Sequence, residues 1–439
     1  MLTFSNRFYF LLAISFVPLS LSWNFPFLKN AVLIYDLILF FLAFADYLVS
    51  KQDKSKFHVK RLIDKRFAIG EENQVKLHIE NSSSKTITLK VKDEYPPEML
   101  LKSRIEANLR IKPESYAQFI YLLTPLKRGS YQFGKTAIRF SSRLGLVWCQ
   151  TTFGQEQYVK VYPSIRRAKE IEIKAFGNTS FLATKRKALK HGEGREFESL
   201  REYVYGDEFR HVSWTATARR SKLITKQYQI ERNQNVIIAL DAGRLMTGRI
   251  EGETKFEVAL HSSLALMLAT TRVGDNVGLV AFGRKIKVFI PPDKGYLHID
   301  TVVKSLHDIE PEMIEPSYSR AFRFIASNIK KRSLIVVLTD LIDKESSQRL
   351  LKSLKLLRPR HLPLIVTISD RDLYELVSKI PENTKDLFYQ SAAEEIIYQR
   401  EIALRMIESI GGLAIDVTTS NLAPKLLEAY LKIKEKGLI

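Results

Sequence analysis

Two apolar stretches near the amino terminus constrain the fold most strongly, because each is long enough to cross a lipid bilayer. Residues 8–28 contain no charged side chain, and residues 31–49 are apolar except for Asp36 and Asp46. About 20 helical residues span the roughly 30 Å hydrocarbon core of a membrane. We therefore predict that residues 1–50 form a transmembrane helical hairpin, with helices at 8–28 and 31–49.

The basic residues after the second stretch predict how this hairpin is oriented. They are Lys51, Lys54, Lys56, Lys60, Arg61, Lys65 and Arg66. Lys and Arg beside a membrane helix stay on the cytoplasmic side. The expected molecule is a multi-pass protein of the cell membrane, with lipid around its hairpin and its soluble domains in the cytoplasm. The alternative is a cleavable signal peptide that begins near Arg7 and is cut at Ser20–Ser22.

Composition narrows the classes of partner. The formal net charge is +20, which favours anionic partners such as membrane lipid, nucleic acid or acidic protein. Nucleic acid is the least favoured of these, because the basic residues are dispersed and no recognition motif is present. The single cysteine, Cys149, excludes an intramolecular disulfide, and no zinc-ligand spacing occurs.

Residues 57–165 show the alternation that is typical of strands. Apolar side chains occupy every second position in residues 75–79 and again in residues 87–91. A period of two indicates strands that bury one face. Such runs follow one another without a helix between them, which predicts an immunoglobulin-like β-sandwich over 57–165. The polar residues 81–84 are predicted to be a hairpin connection.

A different pattern begins at residue 233. Residues 236–240 are continuously apolar, as in a strand buried on both faces, and similar runs occur at 333–338 and 363–368. Helical stretches separate these runs. The alternation predicts a doubly wound, mostly parallel α/β domain over 233–439. Residues 166–232 are predicted to be a linker segment.

One short segment of the predicted sandwich matches the sequence pattern of a phosphate-binding loop. Residues 129–136 read Gly-Ser-Tyr-Gln-Phe-Gly-Lys-Thr, which satisfies the P-loop pattern. A P-loop requires a strand before it and a helix after it. Here the following residues, 137–140, alternate like a strand. We therefore interpret the glycines as bends between strands and exclude nucleotide binding at this position.

The linker segment combines opposite charges with aromatic side chains. Between residues 191 and 232, Lys and Arg are nearly balanced by Asp and Glu, although the whole chain is strongly basic. This mixture favours Arg–carboxylate pairs held by aromatic packing. The residues expected to form a binding surface or a structural clasp are Glu196, Arg201, Tyr203, Asp207, Arg210, Trp214 and Arg219.

The same segment resembles the family named domain of unknown function 58. The resemblance rests on Gly192, Gly194, Glu196-Phe197, Leu200-Arg201, Tyr203, Gly206-Asp207, Arg210, Trp214 and Ala218-Arg219. It implies a membrane-anchored protein whose α/β domain is similar to the von Willebrand factor A domain. It also implies a MoxR-type AAA+ ATPase, or a client protein of that ATPase, as the partner. No reaction is implied by it.

Two aspartates of the α/β domain resemble part of the metal-ion-dependent adhesion site of von Willebrand A domains. Asp241 and Asp340 each follow a predicted parallel strand, and Ser317 (or its neighbour Ser319) could supply the hydroxyl of a second loop. That site has two serines after its first aspartate, whereas this chain has Gly243 and Leu245. Since Mg²⁺ is bound by about six oxygen ligands, we expect weak or absent binding, with Arg244 or ordered water compensating for the missing charge.

A phosphatase that forms an aspartyl-phosphate at Asp241 is disfavoured. Such an enzyme needs a second carboxylate two residues later as general acid, and Gly243 stands there.

Two hypotheses about function remain open. The first is a membrane-anchored cytoplasmic interaction or scaffold protein that acts with the ATPase in the assembly or maturation of other proteins. Under it, the 191–232 segment is a docking surface, or a clasp that ties the two soluble domains together. The alternative is a hydrolase that uses Glu196, Asp207 and the signature histidines His191 and His211 as acids and bases. An exposed acidic pocket would favour the enzyme, and a closed ion-pair network would favour the clasp.

Overall fold

The structure, a computed structural model, describes residues 2–21, 25, 27–51, 57–154, 156–177, 196–229, 233–250, 252–341 and 344–439. The chain separates into two compact units, residues 1–162 and 163–439.

The first unit combines amino-terminal helices with a set of strands. The helices are α1 (Asn6–Ile14), α2 (Phe16–Leu21) and α3 (Phe27–Lys51). The strands are β1 (Leu2–Phe4), β2 (Phe57–Ile63), β3 (Arg66–Ala68), β4 (Asn73–Asn81), β5 (Ile87–Asp93), β6 (Met99–Leu101), β7 (Glu106–Ile111), β8 (Ser115–Pro125), β9 (Gly129–Phe133), β10 (Thr136–Ser141), β11 (Val147–Phe153) and β12 (Gln157–Tyr162).

These strands form the predicted β-sandwich. One sheet has the order β1-β11-β10-β5-β7, a second has the order β2-β4-β8-β6, and a third has the order β3-β12-β9. The alternation in the sequence is confirmed, since Val75, Leu77 and Ile79 on β4 and Leu89 and Val91 on β5 all lie in one hydrophobic core. Residues 129–136 lie on β9, β10 and the turn between them, so the exclusion of a P-loop is also confirmed.

The hairpin predicted at residues 81–84 is wrong. β4 and β5 lie in different sheets, so this connection passes from one sheet to the other. The buried Asn81 holds this connection, because its side-chain amide donates to the carbonyl oxygens of Lys85 (2.9 Å) and Lys112 (3.0 Å). Its side-chain oxygen accepts from the backbone N–H of Ser83 at 3.0 Å. Asn81 therefore ties the connection to the chain after β7.

The two predicted membrane spans differ in length. Residues 27–50 of α3 form one 24-residue helix of mean hydropathy 2.2, which is long and apolar enough to cross a membrane. The first predicted span is split into α1 and α2, which together cover only residues 6–21. Among the described residues α3 alone meets the length for a full span, so the prediction of two full spans is not supported.

Both ends of the helical segment are attached to the sandwich. At the amino end, β1 pairs antiparallel with β11, with Leu2 opposite Cys149. Near the end of α3, the buried carboxylate of Asp46 accepts hydrogen bonds from the Ser142 hydroxyl and from the backbone N–H of Leu144 at 3.1 Å. Both contacts are therefore made to one sheet, on β11 and on the connection between β10 and β11.

The second unit alternates strands with helices. Its helices are α4 (Ile165–Gly177), α5 (Trp214–Arg220), α6 (Lys255–Val273), α7 (Tyr296–Ser305), α8 (Tyr318–Asn328), α9 (Lys344–Leu354), α10 (Arg371–Ser378), α11 (Thr384–Ser409) and α12 (Leu422–Glu435). Its strands are β13 (Glu196–Glu202), β14 (Ile224–Gln229), β15 (Asn235–Asp241), β16 (Arg249–Ile250), β17 (Glu253–Thr254), β18 (Asn276–Phe282), β19 (Ile286–Asp293), β20 (Ser333–Thr339), β21 (Leu362–Ser369) and β22 (Leu413–Thr418).

The central sheet has the order β19-β18-β15-β20-β21-β22, and all of its strands are parallel except the edge strand β19. Every residue of β15 and β20 is buried, as the continuous apolar runs predict. Helices α8, α9 and α11 pack on one face of the sheet. On the other face α6 contacts β15 and β18, and α4 and α12 pack against α6. The direction in which successive strands are added to the sheet reverses at β15. In such sheets ligands bind in the crevice at this point, which the carboxyl ends of β15 and β20 border.

Candidate functional site

Asp241 and Asp340 lie where the parallel strands predict, at the carboxyl edge of the central sheet. Asp241 is the last residue of β15, and Asp340 directly follows β20, which pairs with β15. Both side chains are buried, with 1% of Asp241 and none of Asp340 exposed. Two carboxylates buried at one edge repel each other, so neighbouring groups must offset their charge.

Hydrogen-bond donors surround Asp241. One of its carboxylate oxygens accepts from the Thr339 hydroxyl at 2.6 Å and from the Tyr318 hydroxyl at 3.2 Å. The other accepts from the backbone N–H of Gly243 at 2.8 Å. Burial outweighs these donors and raises the pKa of Asp241 to about 6, and the nearby charge of Asp340 adds to this rise.

Two cationic side chains neutralise the negative charge of Asp340. The ammonium nitrogen of Lys255 lies 2.5 Å from one of its carboxylate oxygens, and the Arg400 guanidinium lies 2.8 Å from the other. The latter oxygen also accepts from the backbone N–H of Leu341 at 2.8 Å. All three charged side chains are buried. Asp340 is therefore paired on both sides within the protein.

Arg400 extends this pairing to the next strands. Its guanidinium also binds Asp416 on β22 at 2.9 Å, and the same Asp416 oxygen accepts from the Thr367 hydroxyl on β21 at 2.7 Å. Arg400 also donates to the carbonyl oxygen of Leu341 at 3.0 Å. A buried ionic network thus links α6, α11 and the ends of three strands. Lys255, Arg400 and Asp416 were not predicted from the sequence, because no spacing marks residues that meet only in the tertiary fold.

The prediction that Arg244 would compensate for the missing metal charge is wrong. Arg244 forms an exposed ion pair with Glu315, with atoms 2.7 and 2.9 Å apart, and Lys255 and Arg400 supply the cationic charge instead. The glycine at position 243 is explained by packing, because a β-carbon there would lie 2.6 Å from the Pro316 ring. A serine at position 243 would therefore require Pro316 to move.

These contacts argue against the metal site that the resemblance implies. The two oxygens of Asp340 already bind Lys255 and Arg400, so a cation would have to displace a buried ammonium group. Ser317 directly precedes α8, and its backbone N–H donates to the carbonyl oxygen of Gly283 at 2.9 Å. It lines an open depression of about 530 Å³ along that helix. Among the described residues, no three acidic, histidine or cysteine side chains are grouped as a metal would need. The residues present do not fit a divalent cation.

The signature segment forms a small, separate structure. Strands β13 and β14 pair antiparallel, and α5 lies between them in the chain. Asp207 closes the turn after β13, since its carboxylate accepts from Arg201 at 2.7 Å and from the backbone N–H of Val204 at 3.0 Å. Tyr203 also donates its hydroxyl to the carbonyl oxygen of Asp207 at 3.2 Å. The hydrogen bond from Arg201 lowers the pKa of Asp207, so this carboxylate stays ionised at neutral pH.

The aromatic residues around this turn face solvent. Tyr205 is fully exposed, and Phe209 and Trp214 are 66% and 65% exposed. Arg210 forms an ion pair with Glu208, two residues before it, and Arg219 is exposed on α5. The Arg201–Asp207 and Arg210–Glu208 pairs each join residues of this segment, so they stabilise its own turn. We call Tyr205, Phe209, Arg210, Trp214 and Arg219 the aromatic surface.

The hydrolase alternative loses one of its candidate acids. Asp207 already holds Arg201 and the turn backbone, and its lowered pKa makes it a poor proton donor at neutral pH. His211 is half-buried at the end of a 3₁₀ turn (Phe209–His211). His191, Gly192, Gly194 and the side chain of Glu196 lie outside the described residues.

Comparison with known proteins supports the resemblance. Residues 199–383 match the family model described as "Protein of unknown function DUF58". The uncharacterized protein YeaD of Bacillus subtilis (strain 168) is 24% identical over 186 residues, which is 42% of this chain and 44% of the relative. The chain thus matches less than half of that relative's length. The matched family region contains most of the signature and both Asp241 and Asp340.

Two solved structures each match about a quarter of the chain. The CARDB domain of a Pyrococcus furiosus protein, solved in complex with di-metal ions, is 11% identical and covers 24% of this chain and 86% of its own, with a TM-score of 0.18. A PapD-like domain of human CEP192 is 12% identical and covers 25% and 87%, with a TM-score of 0.19. At these scores the likenesses support no conclusion about this chain.

Proposed function

We propose that this chain, a member of the DUF58 family by its residues 199–383, is a membrane-anchored interaction protein that docks a partner on its aromatic surface. The partner we propose is a MoxR-type AAA+ ATPase or a client of that ATPase, as the family resemblance implies. The activity would be the assembly or maturation of other proteins. The proposed role is binding, because the acidic groups of the described site are already engaged in ion pairs and hydrogen bonds.

The exposure of the aromatic surface carries this proposal. Large exposed aromatic groups beside arginines are the residue types that dominate binding energy in protein interfaces. Tyr205, Phe209 and Trp214 have these properties, and the Arg201–Asp207 pair holds the turn that presents Tyr205. A preformed turn loses little conformational entropy on binding.

The central sheet supports the likeness to the von Willebrand factor A domain. In chain order its strands are arranged 3-2-1-4-5-6, with the third strand antiparallel at the edge. We propose that this unit is a von Willebrand A-like domain whose adhesion site is degenerate, with Gly243 enclosed by Pro316 and Asp340 bound to Lys255.

Replacing Trp214 by Ala tests the docking surface. We expect the variant to bind the purified MoxR-type ATPase of the same organism at least about 30-fold more weakly than wild type, because truncating a central interface tryptophan costs about 2 kcal/mol or more. The affinity of the detergent-solubilised full chain is measured by fluorescence anisotropy. Phe388→Ala, which truncates an equally exposed aromatic residue on α11, is the control and should leave the affinity unchanged. Equal affinities of all three proteins, or no binding by wild type, would overturn the proposal.

We also propose that the helical segment inserts into the cell membrane as a hairpin and that both soluble units are cytoplasmic. The attachment of β1 and Asp46 to the same sandwich supports this, because both ends of the hairpin then lie on one side. The pairing of β1 with β11 also argues against signal cleavage, which would remove a strand from the sheet.

A topology reporter tests this orientation. Green fluorescent protein fused after Ile439 should fluoresce, and alkaline phosphatase fused at the same position should be inactive, because basic residues after α3 keep that end in the cytoplasm. The intact amino-terminal mass of the purified chain is the companion measurement. An active phosphatase fusion, or a mass showing loss of the first 22 residues, would exclude the hairpin.

A further inference from the structure

We infer that the ammonium group of Lys255 stands where a divalent cation would bind at the carboxyl edge of the central sheet, and that removing it opens a cation site at Asp340 and Asp241. This inference does not depend on the proposed docking function, since it concerns only the buried groups of the second unit.

The position of the ammonium nitrogen is the first observation. It lies 2.5 Å from an Asp340 oxygen, in a place where the lysine side chain is 9% exposed and the aspartate side chain is not exposed at all. A hard cation would seek the same carboxylate oxygen. Arg400 already binds the other oxygen and also pairs with Asp416, so the two cations balance two carboxylates and neither oxygen of Asp340 is left for a metal ion. A further cation at Asp340 would lie beside the buried ammonium group of Lys255, which would repel it at this low dielectric.

The way in which the chain holds Lys255 is the second observation. Lys255 is the first residue of α6, and its backbone N–H donates to the carbonyl oxygen of Gly248 at 2.8 Å. Its side chain then passes close to Gly248, since a β-carbon added to that glycine would lie 3.6 Å from Cε of Lys255. The start of a helix is unfavourable for a positive charge, because the helix dipole is positive there. The lysine is therefore stable at this position because of the carboxylate that it meets.

The carboxylate oxygens at this edge of the sheet are the third observation. Asp241 ends β15 and Asp340 follows the paired strand β20, and the charge of Asp340 is near enough to raise the pKa of Asp241. Without the lysine, one carboxylate oxygen of Asp340 would lose its cation near the carboxylate of Asp241. Such oxygens are the ligands of Mg²⁺ and Mn²⁺, and water would complete the coordination. The chain thus carries a fixed internal charge in place of an exchangeable ion.

The fixed charge of Lys255 affects how a partner can bind at this edge of the sheet. In a metal-dependent site a ligand carboxylate can complete the coordination of the ion. Here the positive charge is buried and already paired, so a partner at this edge must bind by other contacts. Binding should therefore be insensitive to chelators.

The experiment compares Mn²⁺ binding by full-length wild type, Lys255→Ala and Lys287→Ala in detergent. Lys287 pairs with Glu312 at 2.5 Å in the same unit, so its replacement controls for the loss of one lysine. Binding is measured from the electron paramagnetic resonance signal of free Mn²⁺, and the melting temperature is measured with and without the ion. We expect Lys255→Ala to bind at least tenfold more tightly than wild type and to gain thermal stability from Mn²⁺. Lys287→Ala should behave as wild type, and adding Asp340→Ala to Lys255→Ala should remove the gain.

Two results would overturn the inference. One is a wild-type protein that binds Mn²⁺ as tightly as Lys255→Ala and loses that binding when Asp340 is replaced. The other is a folded Lys255→Ala protein that shows no gain in Mn²⁺ binding. If Lys255→Ala folds only with Mn²⁺, the ion has replaced the ammonium group as inferred. Lys255→Ser, which leaves room for an ion and adds a hydroxyl ligand, is the second variant, and failure of both to fold in millimolar Mn²⁺ also counts against the inference.

Discussion

Replacing Asp340 by Ala is expected to destabilise the second unit by about 3–5 kcal/mol, because it leaves two buried cations without their shared anion. Lys255 loses the carboxylate oxygen at 2.5 Å, and Arg400 keeps only its contacts to Asp416 and the Leu341 carbonyl. The loss is measured by urea unfolding of the full chain in detergent, followed by circular dichroism.

Glu315→Ala is the matched control for this prediction. It also removes a carboxylate from an arginine pair, that of Arg244, but both partners are more than one third exposed. Exposed pairs contribute about 0–1 kcal/mol, so this variant should unfold close to wild type. Adding Lys255→Met to Asp340→Ala should recover part of the lost stability, since an apolar side chain then replaces the unpaired ammonium group. A loss below 1 kcal/mol for Asp340→Ala would show that solvent reaches the cations.

The sheet and its edge could be predicted because they follow from short-range patterns. Continuous apolar runs mark strands buried on both faces, and strands that run parallel end at the same edge. These two patterns predicted that Asp241 and Asp340 lie close together, although nearly one hundred positions separate them in the chain. The alternation in β4 and β5 identified the sandwich in the same way. It did not determine which sheet each strand joins, because strands of both sheets show the same alternation and their pairing is set by contacts distant in sequence.

The charges that neutralise the edge could not be predicted. Lys255 begins a helix and Arg400 lies inside another, and each follows the usual composition of helices. Their role depends on side-chain positions after folding, when α6 and α11 lie against the sheet. Arg244 was favoured for this role because it is close to Asp241 in sequence, yet it pairs with Glu315. The strand β1 was missed for a related reason, since three residues are too few to show a period.

Asp241 should make the stability of the second unit depend on pH in a direction opposite to that of most carboxylates. Its pKa is about 6 in the folded protein, against an ordinary value of 3.8, because burial disfavours the charged form. The folded state therefore holds a proton more tightly than the unfolded state does. The stabilisation is fully present below pH 3.8 and is lost as the pH rises through 6. The difference between the two pKa values corresponds to about 3 kcal/mol.

Comparison with Asp241→Asn isolates this contribution. The amide oxygen of Asn can still accept from Thr339 or from the Gly243 N–H, but Asn does not titrate. Subtracting the unfolding free energy of the variant from that of wild type at each pH cancels the other titrating groups. We expect this difference to fall by about 2.4 kcal/mol between pH 4 and pH 7 and then to level off, in urea unfolding of the full chain. A difference that rises with pH would mean that the Asp241 carboxylate is stabilised by positive charge, as at Asp340, and a flat difference would mean that water solvates it. The predicted fall requires that Lys255 and Arg400 neutralise Asp340 and leave Asp241 to its hydrogen bonds.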